Sequence, residues 1–183
     1  YRMIDAANYH KIETLKNGTA FRVRSVRPED KNRISEAFRN LEAESIYTRF
    51  FQHKKALTDK ELKAATEVDF ENVVALVVTV GEGETETIIA GGRYAAFDAA
   101  NNVRSAEVSF TVEEDYHGQG IASHLLRHLG HIAQAKGVSQ FEAEVLPENK
   151  AMLTVFSRSG LPMKKKPEGG TMHVTLSLAG TVD

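Results

Sequence analysis

The pattern of apolar and polar positions predicts a strand and three helices in the first part of the chain. Residues 19–26, TAFRVRSV, alternate between apolar and polar side chains, which is typical of a half-buried strand. In the segment that follows, Pro28 suits a first helical position, acidic residues fill the first turn, and apolar residues share one helical stripe (Ile34, Ala37, Phe38 and Leu41). A second short helix is predicted over residues 43–51. A third begins after Thr58, where Glu61 completes a capping-box pattern.

The later part of the chain predicts a sheet whose strands are interrupted by two helices. Residues 72–80, NVVALVVTV, form a nearly continuous apolar strand, GEGET is a turn, and TIIAGGRYAAF is its hairpin partner. A third strand, VRSAEVSFTV, precedes a helix over Gln119–Lys136, and a strand, a helix and a final strand, TMHVTLSL, follow. This order predicts one mixed α/β domain over residues 19–178, with an N-terminal extension at 1–18 and a C-terminal tail at 179–183.

Composition and charge narrow the class of protein. Hydrophobic residues make up 42% and charged residues 26% of the 183 residues, which is typical of a globular protein. The net charge of −2 argues against nucleic-acid binding, and the longest apolar run, VVALVV, is too short to cross a membrane. The chain has no cysteine and no signal-peptide pattern, so a cytoplasmic location is expected. Residues 61–120 hold 3 basic against 12 acidic residues, so a site there is expected to attract a cation.

A glycine-containing turn, HGQGIA at residues 117–122, joins a predicted strand to a predicted helix. Glycine lets the backbone approach a ligand closely, and the first turn of a helix offers unpaired N–H groups at the positive end of its dipole. Such a turn suits phosphate. It is not a Walker loop, because no GK[ST] follows, and it lacks the third glycine of a dinucleotide fingerprint. The alternative is a plain tight turn.

Two polar clusters invite other interpretations. His124, His128 and His131 share the helix face opposite an apolar stripe (Ile121, Leu125, Leu129 and Ile132), at a spacing that could hold a metal. A solvated polar face is the preferred interpretation, and no metal is expected. Residues 164–166 are three consecutive lysines beside a proline, and they are predicted to form a solvated turn, although they could guide a partner.

The glycine turn and its surroundings resemble the acyl-CoA-binding motif of the GNAT superfamily of N-acyltransferases. His117 stands in the basic position of that signature, Gly120 in its glycine position and Ala122 in its small position. A second segment, NKAMLTVFSRSGL, resembles the family's other signature, in which Asn149 is followed seven residues later by the aromatic Phe156 and then by glycine. The segments VRPEDKNRISEAF, LEAESIYTRFF and LTDKELKAATEVDFENVVALV are similar to the opening of Pat-type protein lysine acetyltransferase domains.

This resemblance implies a GNAT-like α/β fold, with a mixed, mostly antiparallel twisted sheet flanked by helices and a splayed central strand pair. It also implies that acetyl-CoA enters this opening from one side and the acceptor amine from the other. The backbone around Thr111 and Val112 would hold pantetheine and polarise the thioester carbonyl, Gly118 to Ala122 would hold the pyrophosphate, and Asn149 would reach the pantetheine arm. The implied coenzyme-binding residues are Phe110, Thr111, Val112, His117, Gly118, Gln119, Gly120, Ile121, Ala122, Ser123, Asn149 and Phe156.

Glu107 is the first choice for a catalytic base. A lysine acceptor must lose a proton before it attacks, which costs about 4 to 5 kcal/mol at pH 7, and a nearby carboxylate can accept that proton. Strand alternation places Glu107 on one face with Ser109 and Thr111, and its position matches the strand glutamate that family members use. Glu142 and Glu144 are rivals on the next strand, and a plain solvated glutamate is the structural alternative.

One position departs from the family pattern. Many GNAT enzymes have a tyrosine where this chain has Phe156, and the tyrosine phenol protonates the leaving thiolate. A free thiol has a pKa near 8.5, so its thiolate is a tolerable leaving group, and water can supply the proton. Phe156 is expected to pack against the coenzyme arm or to fill the core.

The preferred interpretation is a protein lysine acetyltransferase, in which the acceptor amine attacks acetyl-CoA directly in a ternary complex. The resemblance suggests an acyl-CoA synthetase as the protein substrate, and a fused or regulatory domain outside this chain. One alternative keeps the chemistry but takes a small amine, such as a polyamine or amino sugar, as acceptor. The other is a non-catalytic acyl-CoA sensor, which Phe156 and His117 favour and Glu107 opposes.

Overall fold

The computed structural model describes residues 4–41 and 56–178. Its strands are β1 (His10–Thr14), β2 (Ala20–Ser25), β3 (Val73–Val80), β4 (Thr87–Asp98), β5 (Arg104–Val112), β6 (Gln140–Val145), β7 (Met163–Glu168) and β8 (Thr171–Ser177). Its α-helices are α1 (Lys31–Arg39), α2 (Asp59–Thr66), α3 (Ile121–Ala135) and α4 (Lys150–Ser157). The predicted helix at 43–51 and the predicted tail at 179–183 lie outside the described residues.

The eight strands form one sheet in the order β1-β2-β3-β4-β5-β6-β8-β7. Every neighbouring pair is antiparallel except β5 and β6, which are parallel and are connected through α3. The predicted β3–β4 hairpin is present, with a register shift between Val78 and Thr79. The predicted fold class, a mixed and mostly antiparallel sheet flanked by helices, is confirmed.

The core lies on both faces of the sheet, which explains the continuous apolar sequence of β3. On one face the buried stripe of α3 packs against alternate residues of the central strands, and Leu125, Leu129 and Ile132 are completely buried. On the other face a smaller cluster of β3 and β4 side chains meets Ile34 and Ala37 of α1. The capping box of α2 is also present, because Thr58 and Glu61 exchange side-chain to backbone hydrogen bonds of 3.1 and 3.2 Å.

The parallel strands β5 and β6 pair only over a short stretch. Their register runs from Ser105 opposite Gln140 to Glu107 opposite Glu142. Beyond this point β5 continues to Val112 against β4, and β6 continues against β8, without pairing to each other. The predicted splayed central pair is therefore present, and its opening begins at Glu107.

Two strands were absent from the sequence-based prediction. β1 lies within the predicted N-terminal extension and pairs with β2 along its whole length. β7 contains Lys164, Lys165 and Lys166, so the expected solvated turn is wrong, and these lysines occupy an edge strand paired with β8. Lysine and proline are common on edge strands because they discourage further strand pairing. No helix of the described ranges is long and apolar enough to cross a membrane.

Candidate active site

Glu107 occupies the last paired position of β5 and β6, on the sheet face opposite α3. Its register partners are Ala95 on β4 and Glu142 on β6. The next side chains of β5 alternate as predicted, because Val108 and Phe110 are buried with the α3 cluster. Glu107 itself is exposed, and its carboxylate has no hydrogen-bond or ion-pair partner in the described part of the chain. A free carboxylate is therefore present where the two strands diverge.

The rival carboxylates on β6 have a partner on β8, which sequence reasoning did not assign to them. His173 contacts Glu144 directly, and its Nε2 lies 3.7 Å from Oε1 of Glu142. The hydrogen bond to Glu144 raises the pKa of His173. Burial alone would raise the pKa of Glu144, but hydrogen bonds from Thr171 and His173 hold it below its ordinary value. Glu144 is therefore engaged in structure, whereas Glu107 is free to accept a proton.

An apolar cavity of about 330 Å³ lies on the same sheet face as Glu107. Ser109 and Thr111, which follow Glu107 on that face of β5, line it together with Gly91, Gly92 and Arg93 of β4. Its opposite wall comes from α1, α2 and the residues beside them, among them Ile34, Ala37, Phe38, Leu41, Leu57, Ala64 and Ala65. The cavity is therefore largely apolar, and Ser109 in its lining is two residues from Glu107 along β5.

The glycine turn between β5 and α3 adopts a backbone that favours glycine. Gly118 and Gly120 have φ angles of +79° and +84°, in the left-handed region, and Gly120 is the N-cap residue of α3. A Cβ atom built on Gly118 would have no heavy atom within 4 Å, so the turn is open on that side. The carbonyl oxygen of the Gln119 side chain is buried without a hydrogen-bond partner among the described residues. The turn thus combines helix N–H groups, open space and an unsatisfied polar atom.

The other residues of the predicted coenzyme site near this turn differ in which of their atoms could contact a ligand. The His117 ring donates from Nε2 to the carbonyl oxygen of Val112, 2.8 Å away, and so connects the turn to the end of β5. Ile121 begins α3 and is 2% exposed, so its side chain belongs to the core and only its backbone can face a ligand. Ala122 is half-buried and Ser123 is exposed in the first turn of α3.

Asn149 and Phe156, predicted to contact the coenzyme, both have local structural roles. The side-chain oxygen of Asn149 accepts a hydrogen bond of 3.2 Å from the backbone N–H of Met152 and caps α4. Phe156 is 1% exposed and packs against Phe110 with a ring separation of 6.2 Å. Their roles toward a coenzyme stay predictions.

The polar face of α3 is not solvated throughout, because the hairpin of β1 and β2 covers part of it. His128 is 6% exposed, accepts a hydrogen bond of 2.5 Å from the Tyr9 hydroxyl, and donates from Nε2 to Glu13. His124 and Arg127 also contact Glu13. The expectation of a solvated face is therefore wrong at His128. The missed signal was the Asn-Gly pair at residues 17 and 18, a common hairpin turn.

Burial and hydrogen bonding together determine the pKa shifts of His128 and Glu13. Desolvation lowers the pKa of His128, although Glu13 opposes that change. Burial alone would raise the pKa of Glu13, but hydrogen bonds from Arg127 and His128 hold it below its ordinary value. A neutral imidazole beside an ionised carboxylate agrees with the two hydrogen bonds of His128, one accepted and one donated. These contacts of Tyr9 and Glu13 hold the N-terminal β1–β2 hairpin against α3.

Comparison with known proteins identifies the architecture built by these elements. The family profile of the acetyltransferase (GNAT) domain matches residues 21–162. The chain belongs to the GNAT acetyltransferase family. The Acetyltransferase Pat of Mycolicibacterium smegmatis is 34% identical over 158 residues, which are 86% of this chain and 46% of that protein. The chain therefore spans about half the length of this relative.

Solved structures agree with this assignment to the GNAT family. The GNAT domain of S. lividans PAT is 32% identical, with a TM-score of 0.84 over 92% of this chain and 96% of that one. A cAMP-binding acyltransferase from Mycobacterium smegmatis is 30% identical, with a TM-score of 0.61 over 94% of this chain and 48% of that one. A Salmonella typhimurium structure, yncA, solved "with its cofactor Acetyl-CoA", shares the fold at 16% identity, with a TM-score of 0.69 over 89% of this chain and 96% of that one. The resemblance to GNAT proteins of the Pat type is confirmed.

Proposed function

We propose that this GNAT domain transfers an acetyl group from acetyl-CoA to a primary amine, with a protein lysine as acceptor. The observation that carries the proposal is the free carboxylate of Glu107 at the divergence of β5 and β6, on a strand that is separated from the open glycine turn only by a short 3-10 helix, Glu114–Tyr116. The relatives of the Pat type support a lysine side chain as the acceptor.

The residues present fit acetyl-CoA. The turn containing Gly118 and Gly120 offers N–H groups and open space to the phosphates, and the unpartnered side-chain oxygen of Gln119 can accept from an N–H or O–H group of the coenzyme. The splay beyond Glu107 leaves the β5 side facing β6 free to meet the pantetheine arm. When bound, acetyl-CoA supplies an acyl group activated as a thioester.

Glu107 removes the proton that blocks attack. The acceptor is an ammonium at neutral pH, and deprotonation costs about 4 to 5 kcal/mol for an ordinary lysine. The neighbouring carboxylates of Glu107 and Glu142 attract that cation to the divergence of the strands, and Glu107 then accepts its proton directly or through water.

Backbone groups and water complete the proposed chemistry. The N–H groups of β5 around Thr111 and Val112 stabilise negative charge on the carbonyl oxygen of the acyl group. Phe156 is buried and has no acidic proton, so water returns a proton to the departing thiolate. This chain therefore contributes a base and hydrogen-bond donors to catalysis, but no general acid at position 156.

The test is release of free thiol from acetyl-CoA in the presence of different acceptors. The panel contains an acyl-CoA synthetase with its active-site lysine, the same synthetase with that lysine replaced by arginine, a polyamine and an amino sugar. Transfer to the first synthetase but not to its arginine variant supports the proposal. Transfer to a small amine alone would contradict the choice of acceptor, and coenzyme binding without any turnover would contradict catalysis.

A further inference from the structure

The N-terminal hairpin places a lysine beside the glycine turn. Residues 15–19 connect β1 to β2, and a Cβ atom built on Gly120 would lie 3.8 Å from Cε of Lys16. The side chain of Lys16 is exposed and has no ion-pair partner within the described ranges. A free cation therefore sits next to the N-cap residue of α3.

The position of Lys16 is fixed by the turn that carries it. Leu15 is 3% exposed, and its N–H donates to the carbonyl of Thr19 at 2.8 Å. Gly18 donates to the carbonyl of Leu15 at 2.9 Å, and the side-chain oxygen of Asn17 accepts from the N–H of Thr19 at 3.0 Å. These bonds close the turn on itself, so Lys16 projects from an ordered backbone.

The hairpin is also held against α3, which fixes Lys16 relative to the glycine turn. Glu13 accepts a hydrogen bond of 2.8 Å from Arg127 and contacts His124 and His128. On the second strand, the ring of Phe21 meets that of His124 edge-on with a centroid separation of 5.3 Å. Since Glu13 is fully engaged by α3, the nearest acid on β1 is not available to neutralise Lys16.

The electrostatics of this arrangement favour an anion. The N-terminus of a helix carries a partial positive charge, so a lysine beside it is unfavourable unless negative charge lies nearby. No described carboxylate supplies that charge to Lys16. The phosphates of coenzyme A would neutralise both the helix terminus and the lysine.

We infer that Lys16 is a coenzyme-binding residue that contacts the phosphates of acetyl-CoA from the β1–β2 turn. The inference rests on the proposed function, and it assigns a binding role to the N-terminal extension. Neither signature segment of the sequence contains this residue.

Calorimetric binding of coenzyme A and of 3′-dephospho-coenzyme A tests the inference without catalysis. Lys16→Gln is expected to raise the Kd for coenzyme A about three- to tenfold, whereas Lys16→Arg stays within about twofold of wild type. Lys11→Gln, which removes one charge from the same hairpin, is the matched control and also stays within about twofold. Wild-type affinity is expected to fall more steeply with salt than that of Lys16→Gln.

The two ligands locate the contact. A loss seen with coenzyme A alone assigns Lys16 to the 3′-phosphate, and an equal loss with both ligands assigns it to the pyrophosphate. Wild-type affinity in Lys16→Gln, or an equal loss of affinity in Lys11→Gln, would overturn this inference but leave the proposed function standing. A wild-type protein that binds neither ligand would overturn the proposed function together with it.

Discussion

Glycines at the two ends of α3 allow the effect of a glycine substitution on coenzyme binding to be separated from its effect on stability. Gly120 at the N-cap and Gly137 after the C-terminus have nearly identical φ angles of +84° and +85°. Neither would bring a new Cβ into a close contact, because Gly120 has only Lys16 at 3.8 Å and Gly137 has no atom within 4 Å. Gly120→Ala and Gly137→Ala therefore impose the same backbone strain, one inside the proposed phosphate site and one outside it.

The expected magnitudes follow from these two environments. A left-handed backbone costs an alanine about 1 to 2 kcal/mol, which lowers the Tm of a chain of this size by about 2 to 8 °C in both variants. Only Gly120→Ala also disturbs N–H groups that face the coenzyme phosphates. Loss of one hydrogen bond to a charged group costs about 1.5 to 3 kcal/mol, so its Kd for acetyl-CoA is expected to rise at least about tenfold.

Calorimetry with acetyl-CoA and thermal unfolding of the free protein measure the two effects separately. The two variants are expected to have similar Tm values, and binding of acetyl-CoA is expected to be weakened in Gly120→Ala alone. Equal and undiminished affinity in both variants would refute the assignment of this turn as the phosphate site. Equal loss of affinity in both would show that α3 transmits strain along its length and that the turn has no special role.

Three further predictions concern stability. Gly92→Ala is expected to lower the free energy of unfolding, measured in urea, by about 1 to 3 kcal/mol, because its Cβ would lie 2.9 Å from a Phe110 ring atom. Gly91→Ala, whose Cβ would make an ordinary 3.5 Å contact, is the control, and equal losses in the two variants would contradict the packing argument. Asp30→Asn is expected to lower the free energy of unfolding by about 3 to 5 kcal/mol, because the side chains of Asp30 and its partner Arg24 are only 0% and 2% exposed. A loss below about 1 kcal/mol would argue against a buried ion pair. Burial lowers the pKa of His128 in the folded protein, so below pH about 6.5 the unfolded chain binds more protons at this residue than the folded chain does. The free energy of unfolding of wild type is therefore expected to lose its advantage over that of His128→Gln as the pH falls from about 7.5 to about 5. An advantage that grows on acidification would show that His128 is charged in the fold.

The central elements were predictable because their patterns are strong and local. The apolar run of β3, its turn, and the helical stripe of α3 each specify one structure, and the glycines at both ends of α3 mark its limits. The alternation around Glu107 was sufficient to place its side chain on the face opposite Val108 and Phe110. These segments are also the ones that carry the family motifs.

The missed features depend on contacts between distant parts of the chain. β1 carries the exposed Ile12 and no clear apolar alternation, so only its pairing with β2 defines it as a strand. The burial of His128 results from Tyr9 and Glu13, more than a hundred residues earlier. Lys16 belongs to the same class, because its approach to Gly120 exists only after the hairpin docks on α3.

The central claim, that Glu107 is the base for acetyl transfer to an amine, is tested most directly by the single-turnover rate of Glu107→Gln. The variant is expected to bind acetyl-CoA like wild type but to transfer its acetyl group about 10²- to 10⁴-fold more slowly, and to lose the pH dependence of the base. Glu142→Gln, which removes the neighbouring carboxylate that attracts the acceptor but leaves the base in place, is the matched control and is expected to retain most of the wild-type rate at saturating acceptor. A wild-type rate in Glu107→Gln, or a large loss confined to Glu142→Gln, would contradict the account.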